Sequence, residues 1–306
     1  MVELNDRVET RSLSAVDVAT LLYVAVATAA VLWFAAGDPA TCAALLVAHA
    51  LVAVLVVMAP RLRTAGRVGR AIALWYPMLL LAAFYAEVGV LNLAAGYNYD
   101  ALIQRLELSL FGSEVSYLWV REVPSVALSW VLHSCYLAYY LILVAAPLGL
   151  WASGRRDAAR FTIFALATTF YCCYVVFLFF PVAGPRYAFT AATNAATDVW
   201  PARAAQWVLD LGDSWGAAFP SSHVAGATVA AVCALRFWRP LGWALLPWTV
   251  GLVFAVVYGQ FHYAADAVAG LVVAFVVLTS LQAGVARVRA PRLSVPAEVE
   301  SPTLPL

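Results

Sequence analysis

Long apolar segments alternate with short polar segments along almost the whole chain. A helix needs about 20 apolar residues to cross the hydrocarbon core of a bilayer, which is about 30 Å thick. Eight segments approach or exceed that length, and this pattern predicts an all-α, polytopic membrane helix bundle of about eight spans. The predicted spans are 16–36, 40–59, 71–93, 126–150, 161–180, 221–238, 241–258 and 262–283.

Composition strengthens the membrane interpretation. The chain is 64% hydrophobic and 11% charged, with a mean hydropathy of +0.86, whereas soluble domains have about 25% charged residues. The net charge is +1, and no basic stripe indicates nucleic-acid binding. The predicted partners are therefore the bilayer and its lipids. The first 14 residues are polar and a segment of spanning length follows, which favours an anchored first helix over a cleaved signal peptide.

The arginines predict the orientation, because Lys and Arg concentrate in cytoplasmic loops. All 18 basic residues are arginines. Eight crossings place 14 of the 18 on the side that holds both termini. That side is predicted to be cytoplasmic, in a plasma or inner membrane, with a disordered cytoplasmic tail over 285–306.

The five cysteines all lie within apolar segments. They lack the spacing of zinc ligands with nearby histidines, and we interpret them as small buried hydrophobic residues. The sequence predicts no metal and no cofactor.

Two long loops, 94–125 and 181–219, fall on the non-cytoplasmic side, and each contains an amphipathic segment. The first segment, 100–111, ends at Gly112, and one of its faces carries Leu102, Ile103, Leu106, Leu110 and Phe111. One face of the second segment, 200–211, carries Trp200, Ala204, Trp207, Val208 and Leu211. Such segments lie along a membrane interface or cap the bundle, or they are loop helices that cover the core. On the first segment, Asp100 and Glu107 are predicted to face solvent.

Three polar blocks meet on this same non-cytoplasmic face. The stretch 219–226 places Pro220 in the first turn of the sixth span, where free backbone N–H groups and the helix dipole favour an anion. His262 and Asp266 lie four residues apart at the start of the eighth span, on one helix face. Arg186 follows the fifth span as it leaves the membrane.

These blocks resemble the signatures of the type-2 phosphatidic acid phosphatase superfamily. They read Pro-x-x-Gly-Pro-Arg at 181–186, Pro-Ser-Ser-His at 220–223 and His-Tyr-x-x-Asp at 262–266. The resemblance covers the last six spans. It implies a six-helix catalytic core over 71–284, with 1–70 as an N-terminal extension of two spans.

The chain departs from the phosphatases of this superfamily at two positions. They carry a lysine where this chain has Phe179 and an arginine where it has Val256. Both losses, and a segment like Asn98 to Gly112, resemble the inositol-phosphorylceramide synthase and sphingomyelin synthase branch, which transfers phosphorylated head groups between lipids. A site with fewer cations also suits a phosphodiester, which bears less charge than a monoester.

The chemistry of the blocks assigns candidate roles, and they agree with what the resemblance implies. His262 is the candidate nucleophile and forms a phosphohistidine. Asp266 orients its ring by accepting a hydrogen bond from the other nitrogen, and His223 is the general acid and base. The substrate phosphate is expected to bind Arg186, Ser221 and Ser222.

Three further polar residues lie within predicted spans. Glu87 and His133 approach the non-cytoplasmic face, and each either lines the site or forms an interhelical hydrogen bond. His49 is predicted to be structural. The predicted activity is cleavage of a lipid phosphoester with transfer to a lipid alcohol or to water. The alternative is a non-catalytic binder or transporter of lipid phosphates, although the inverted repeats typical of transporters are not evident.

Overall fold

The computed structural model describes residues 12–35 and 37–289, with side chains through residue 281. Within these residues the regular structure is helical, and a single parallel bridge joins Val182 to Ala217. The helices are α1 (Ala15–Phe34), α2 (Pro39–Thr64), α3 (Gly66–Ala95), α4 (Asp100–Phe111), α5 (Val115–Glu122), α6 (Val126–Ala152), α7 (Arg156–Phe179), α8 (Pro185–Ala188), α9 (Trp200–Gly212), α10 (Ser222–Phe237), α11 (Arg239–Tyr258) and α12 (Ala264–Arg289).

Seven of these helices are long and apolar enough to cross a membrane: α1, α2, α3, α6, α7, α11 and α12. The predicted sixth span corresponds to α10, which is apolar but shorter, with 16 residues. The predicted fold class, a polytopic helical bundle of about eight spans, is confirmed. Helix α12 continues to Arg289, past the predicted start of the tail at 285, and the rest of that tail lies outside the described residues.

Helices α7 and α10 form the centre of the bundle. Of the apolar 18-residue stretch in each helix, 67% is buried in α7 but only 17% in α2. Helix α2 therefore lies at the periphery. Small residues allow close packing around α10. At Gly226 an added Cβ would lie 2.8 Å from the Phe170 ring, and at Gly270 of α12 it would lie 2.5 Å from the carbonyl oxygen of Ser221. These approaches bring α10 close to α7 and α12.

Several helix ends follow from local sequence. Asp38 caps α2, where its carboxylate accepts from the backbone N–H groups of Ala40 and Thr41 and Pro39 occupies the first turn. Gly96 and Gly112 end α3 and α4 in the left-handed conformation, each with φ of 72°, as glycine readily allows. The predicted end of the first amphipathic segment at Gly112 is confirmed.

The start of α10 differs from the prediction. Ser221 is the N-cap residue and the helix begins at Ser222, so Pro220 precedes the cap and is not in the first turn. The prediction was wrong because a serine hydroxyl that accepts from a backbone N–H competes well for the cap position.

The amphipathic helices α4 and α9 leave most of their predicted apolar residues exposed, although Ile103 of α4 is buried. On α4 the buried residues are Asp100, Ile103 and Glu107, while its leucines at 102, 106, 108 and 110 are exposed. The prediction that Asp100 and Glu107 face solvent was therefore wrong. On α9, Trp200 and Trp207 are likewise exposed, and small residues such as Ala202 and Ala205 are buried. Both helices contact the bundle, and their apolar faces remain free for the interface of a bilayer.

Candidate active site

His262 lies in the short connection between α11 and α12, at one end of the bundle. Its Nδ1 lies 2.9 Å from the carbonyl oxygen of Ala218 and 3.4 Å from Oδ2 of Asp266. The carbonyl oxygen can only accept a hydrogen bond, so Nδ1 carries the ring proton and donates the hydrogen bond to Ala218. Nε2 is then the unprotonated nitrogen of the neutral ring. The sequence predicted Asp266 as the orienting acceptor, and the structure adds a closer one from the backbone.

Asp266 also organises the start of α12. Its Oδ2 accepts from the backbone N–H of Tyr263 at 2.8 Å, and its backbone carbonyl accepts from the N–H of Ser221 at 2.9 Å. The side chain is fully buried. Asp266 thereby ties the block that contains His262 to the block that contains His223.

His223 occupies the first turn of α10 and faces His262. The distance from His223 Nδ1 to His262 Nε2 is 3.4 Å. The His223 ring stacks on Tyr136, with centroids 5.5 Å apart, and it contacts Tyr139 at 4.3 Å. Because the two nitrogen atoms are nearly in contact, a phosphoryl group can enter between the rings only when they separate.

Arg186 follows Gly184, whose φ of 95° lies in the region that favours glycine. Its guanidinium donates to Gln206 Oε1 at 2.9 Å and to Asp210, and it lies 3.9 Å from Asp213. The cation is thus held by side chains at the end of α9. Burial and the nearby carboxylate of Asp213 raise the pKa of Tyr187 to about 12, so this phenol stays protonated at neutral pH.

Ser221 and Ser222 lie beside His223 at the start of α10. The Ser221 hydroxyl accepts weakly from the Val224 N–H, at 3.4 Å, as the cap of α10. Both serines are buried, and neither lines the two cavities described next.

Two cavities meet at Arg186. The first cavity is lined by His223, His262 and Arg186, together with Tyr85, Tyr136 and other residues. It holds about 20 Å³ of free volume, enough for about one water molecule. The second cavity holds about 440 Å³ and shares Arg186 and Phe261 with the first. Its wall includes several polar residues: His133, Thr190, Thr197, Gln206, Asp210 and Gln260.

The two remaining candidates have different surroundings. His133 lines the second cavity, and its Nδ1 lies 2.8 Å from the Ser129 hydroxyl. Glu87 is not among the residues that line either cavity. Its Oε1 lies 2.9 Å from His49 Nε2, so Glu87 makes a close contact between α3 and α2, and His49 is placed in a structural contact.

Sequence reasoning missed several residues around the site. No sequence motif includes the partners of Arg186, which are Gln206, Asp210 and Asp213. The same holds for Tyr136 and Tyr139 around His223. Asp100 and Glu107 did give a signal, because with Ile103 they form an i, i+3, i+7 stripe on α4. The described part of the chain contains no group of three His, Cys, Asp or Glu side chains that could hold a metal ion.

The fold and the site together define a class: an integral-membrane helical bundle with two histidines, a carboxylate and an arginine gathered at one end. A family model described as the PAP2 superfamily matches residues 101–280, and the chain belongs to this superfamily. Membership supports an enzyme of the phosphatase or phosphotransferase type that acts on a lipid phosphoester in a membrane. No curated protein and no solved structure shows significant similarity to the chain.

Proposed function

We propose that the protein is a lipid phosphotransferase that cleaves a phosphoester through a phosphohistidine on His262. The observation that carries this proposal is the arrangement around the first cavity. His262 Nε2, the unprotonated nitrogen, faces His223 Nδ1 at 3.4 Å, and Arg186 lines the same cavity. A nucleophile, a proton carrier and a cation therefore surround one small volume, as phosphoryl transfer requires.

In the first half-reaction, the substrate phosphate enters between the two imidazoles and binds Arg186 in place of Asp210. His262 Nε2 attacks phosphorus, the N–P bond forms and the bond from phosphorus to the leaving oxygen breaks. Protonated His223 gives its proton to that oxygen, which leaves as an alcohol. Asp266 and the Ala218 carbonyl stabilise the Nδ1–H of the phosphorylated ring, because both are acceptors near that nitrogen.

In the second half-reaction, neutral His223 removes the proton of the acceptor hydroxyl. The acceptor oxygen attacks phosphorus, the N–P bond breaks, and His262 regains its lone pair. His223 is protonated again and the cycle closes. No further proton or electron is needed, since the alcohol released and the alcohol consumed exchange one proton through the same imidazole.

The second cavity supports transfer over simple hydrolysis. Water needs little space, whereas a volume of about 440 Å³ beside Arg186 falls within the range of small-molecule sites. Phe179 and Val256, which replace two cations of the related phosphatases, also favour a donor with less charge on phosphorus. Together these features support a phosphodiester donor and a lipid alcohol as acceptor.

The arginine distribution supports a location for the chemistry. It places both termini in the cytoplasm and the site on the non-cytoplasmic face of a plasma or inner membrane. We further propose that residues 71–284 form the catalytic core and that 1–70 form an extension that packs against it.

The test is an assay of purified protein in proteoliposomes. Phosphodiester and phosphomonoester lipids serve as donors, with labelled diacylglycerol or ceramide as acceptor. We expect transfer of the phosphorylated head group to the acceptor, and acid-labile phosphate on the protein after a rapid quench. His262→Ala removes both signals, while Cys172→Ala, at an exposed position, keeps them.

Each outcome decides one part of the proposal. Turnover that persists in His262→Ala would contradict the nucleophile. Transfer of the phosphorylated head group to water alone would contradict transfer to a lipid alcohol. Lipid binding without any turnover in the wild type would favour a non-catalytic lipid-phosphate binder.

A further inference from the structure

Helix α4 directs two buried carboxylates into the protein at the end where the site lies. Asp100 and Glu107 have exposed fractions of 7% and 0%. The proposed mechanism uses neither of them. A carboxylate withdrawn from water in this way is costly unless strong hydrogen bonds compensate, so their partners indicate why they are there.

Asp100 contacts two of the three blocks at once. Its Oδ2 accepts from the backbone N–H of Ala183 at 2.8 Å, and its Oδ1 accepts from the N–H of Gly184 at 2.8 Å. The hydroxyl of Tyr263 also donates to Oδ1, at 2.9 Å. Gly184 lies two residues before Arg186, and Tyr263 directly follows His262. A single carboxylate therefore links the loop of the cation to the loop of the nucleophile.

Glu107 lies two turns after Asp100 on α4 and contacts the start of α12. Its Oε1 accepts from the N–H of Ala264, the first residue of α12, at 2.8 Å. It is anchored on its other side by Ser116, whose hydroxyl donates to Oε2 at 2.8 Å. Between the two acids, Gln104 donates to the Tyr263 hydroxyl at 2.9 Å.

We propose that Asp100 and Glu107 are positioning residues that fix Arg186 relative to His262. This inference rests on the proposed function. In the transition state the guanidinium and His262 Nε2 must contact one phosphoryl group from different sides. An error of about 1 Å in such a geometry costs up to about 100-fold in rate. His262 lies in a loop and Arg186 in the single-turn helix α8, so the hydrogen bonds from α4 supply rigidity that these short segments lack.

A carboxylate suits this position better than an amide. All three groups around Asp100 are hydrogen-bond donors, and an ionised carboxylate only accepts. An asparagine of the same shape would turn an NH₂ group towards one of these donors. Asp100→Asn therefore changes the hydrogen bonding without creating a cavity, and it is the sharpest single test.

The experiment compares Asp100→Asn with wild type and with a control, Glu122→Gln, which changes an exposed carboxylate in the neighbouring helix α5. We expect kcat of Asp100→Asn to fall at least about tenfold, with KM changed less than about threefold. The control keeps wild-type kinetics. Each kcat is calculated per folded molecule, and the amount of folded protein is the monodisperse fraction on size-exclusion chromatography.

A second measurement separates positioning from a merely structural role. Orthovanadate mimics the five-coordinate transition state of phosphoryl transfer, whereas inorganic phosphate mimics the ground state. We expect the inhibition constant of vanadate to rise at least about tenfold in Asp100→Asn, and that of phosphate to rise less than about threefold. A structural role lowers the amount of active protein but leaves both inhibition constants of the surviving molecules unchanged.

Tyr263→Phe provides a variant that preserves the packing if Asp100→Asn does not fold. It removes only the hydroxyl that joins Asp100 and Gln104, and we expect the same pattern with a smaller loss in kcat, about three- to tenfold. Wild-type kcat and vanadate inhibition in the folded variants would overturn the inference alone. An inactive wild type, or full activity in His262→Ala, would overturn the proposed function and this inference with it.

Discussion

Arg186 lies at the first cavity, but its guanidinium is occupied by neighbours on α9 and just beyond it. Gln206 and Asp210 accept from it, and Asp213 lies 3.9 Å from Nε. Asp213 in turn accepts from the Tyr85 hydroxyl at 3.1 Å. A substrate phosphate must therefore compete with a carboxylate for the cation, and this competition sets part of the apparent affinity.

The first prediction concerns Asp210→Asn. The amide keeps the size of the side chain but removes the negative charge that competes with phosphate for Arg186. We expect KM for a lipid phosphoester to fall by about two- to tenfold, because a partly exposed charge pair contributes modestly. Competitive inhibition by inorganic phosphate measures the same change without turnover, and its inhibition constant should fall in parallel.

The matched control is Asp198→Asn. Asp198 pairs with Arg203 at 3.1 Å in an exposed position at the other end of α9, so its loss should leave KM unchanged. Weaker phosphate inhibition in Asp210→Asn would show instead that Asp210 holds Arg186 in its binding position.

At the scale of elements, the spanning helices were predictable and the orientation of the loop helices was not. Runs of about 20 apolar residues give the spans, because the length and apolarity of a helix decide whether it can cross a bilayer. For α4 and α9 the apolar stripe was predictable, but whether it faces the core or the lipid interface did not follow from the sequence. A soluble protein has only its core in which to bury such a stripe. A membrane protein has the lipid interface as well, so the polar stripe of α4 faces inwards, where it finds donors.

The candidate site was predictable only in its parts. Polar motifs at the ends of spans located His223, His262 and Arg186, and the topology placed them on one face. The Ala218 carbonyl that orients His262 is backbone, and every residue has one, so no sequence pattern identifies it. The tyrosines around His223 belong to an apolar span whose composition does not distinguish them from lipid-facing residues.

The second prediction concerns Trp207→Ala on α9. Trp207 is 63% exposed, next to the second cavity lined by Gln206, and tryptophan favours the bilayer interface. Its loss should weaken contact of α9 with lipid. We expect KM for a long-chain substrate in vesicles to rise by about fivefold, while KM for a short-chain, water-soluble analogue stays constant.

Trp243→Ala is the control for this change. Trp243 is similarly exposed, at 58%, but it lies in the first half of α11, at the end of the bundle away from His262. An equal rise in KM from both variants would mean that α9 has no special part in lipid access.

At the scale of the whole molecule, the N-terminal helix α1 is part of the packed core, and α2 packs at its periphery. Tyr23 of α1 stacks on Tyr171 of α7 with centroids 4.9 Å apart. Asp17 is fully buried and accepts from the Tyr76 hydroxyl at 2.6 Å. The His49–Glu87 contact joins α2 to α3. The family match begins at residue 101, so these helices add packing outside the matched region.

The third prediction concerns Glu87→Gln. It leaves the buried imidazole of His49 without a charged partner, and we expect the free energy of unfolding to fall by about 1–3 kcal/mol. Neither cavity is lined by Glu87, so kcat per folded molecule should not change. Thermal unfolding in detergent and steady-state kinetics on the same sample measure the two quantities.

The double variant His49→Leu/Glu87→Leu tests the cause. Replacing both polar partners by apolar residues removes the desolvation penalty together with the contact, so its stability should return close to that of the wild type. A loss of kcat in Glu87→Gln at full stability would instead connect this pair to catalysis.

The short central helix α10 fixes how deep the proposed reaction takes place. Its 16 residues extend about 24 Å at 1.5 Å per residue, less than the hydrocarbon thickness of about 30 Å. If its far end lies at one boundary of the hydrocarbon core, His223 lies several ångströms inside the other boundary. The acyl chains of a lipid substrate then stay in the bilayer, while its phosphate moves a few ångströms inwards to reach the two imidazoles. Because the polar site then lies below the membrane surface, the lipid does not have to leave the bilayer to reach it.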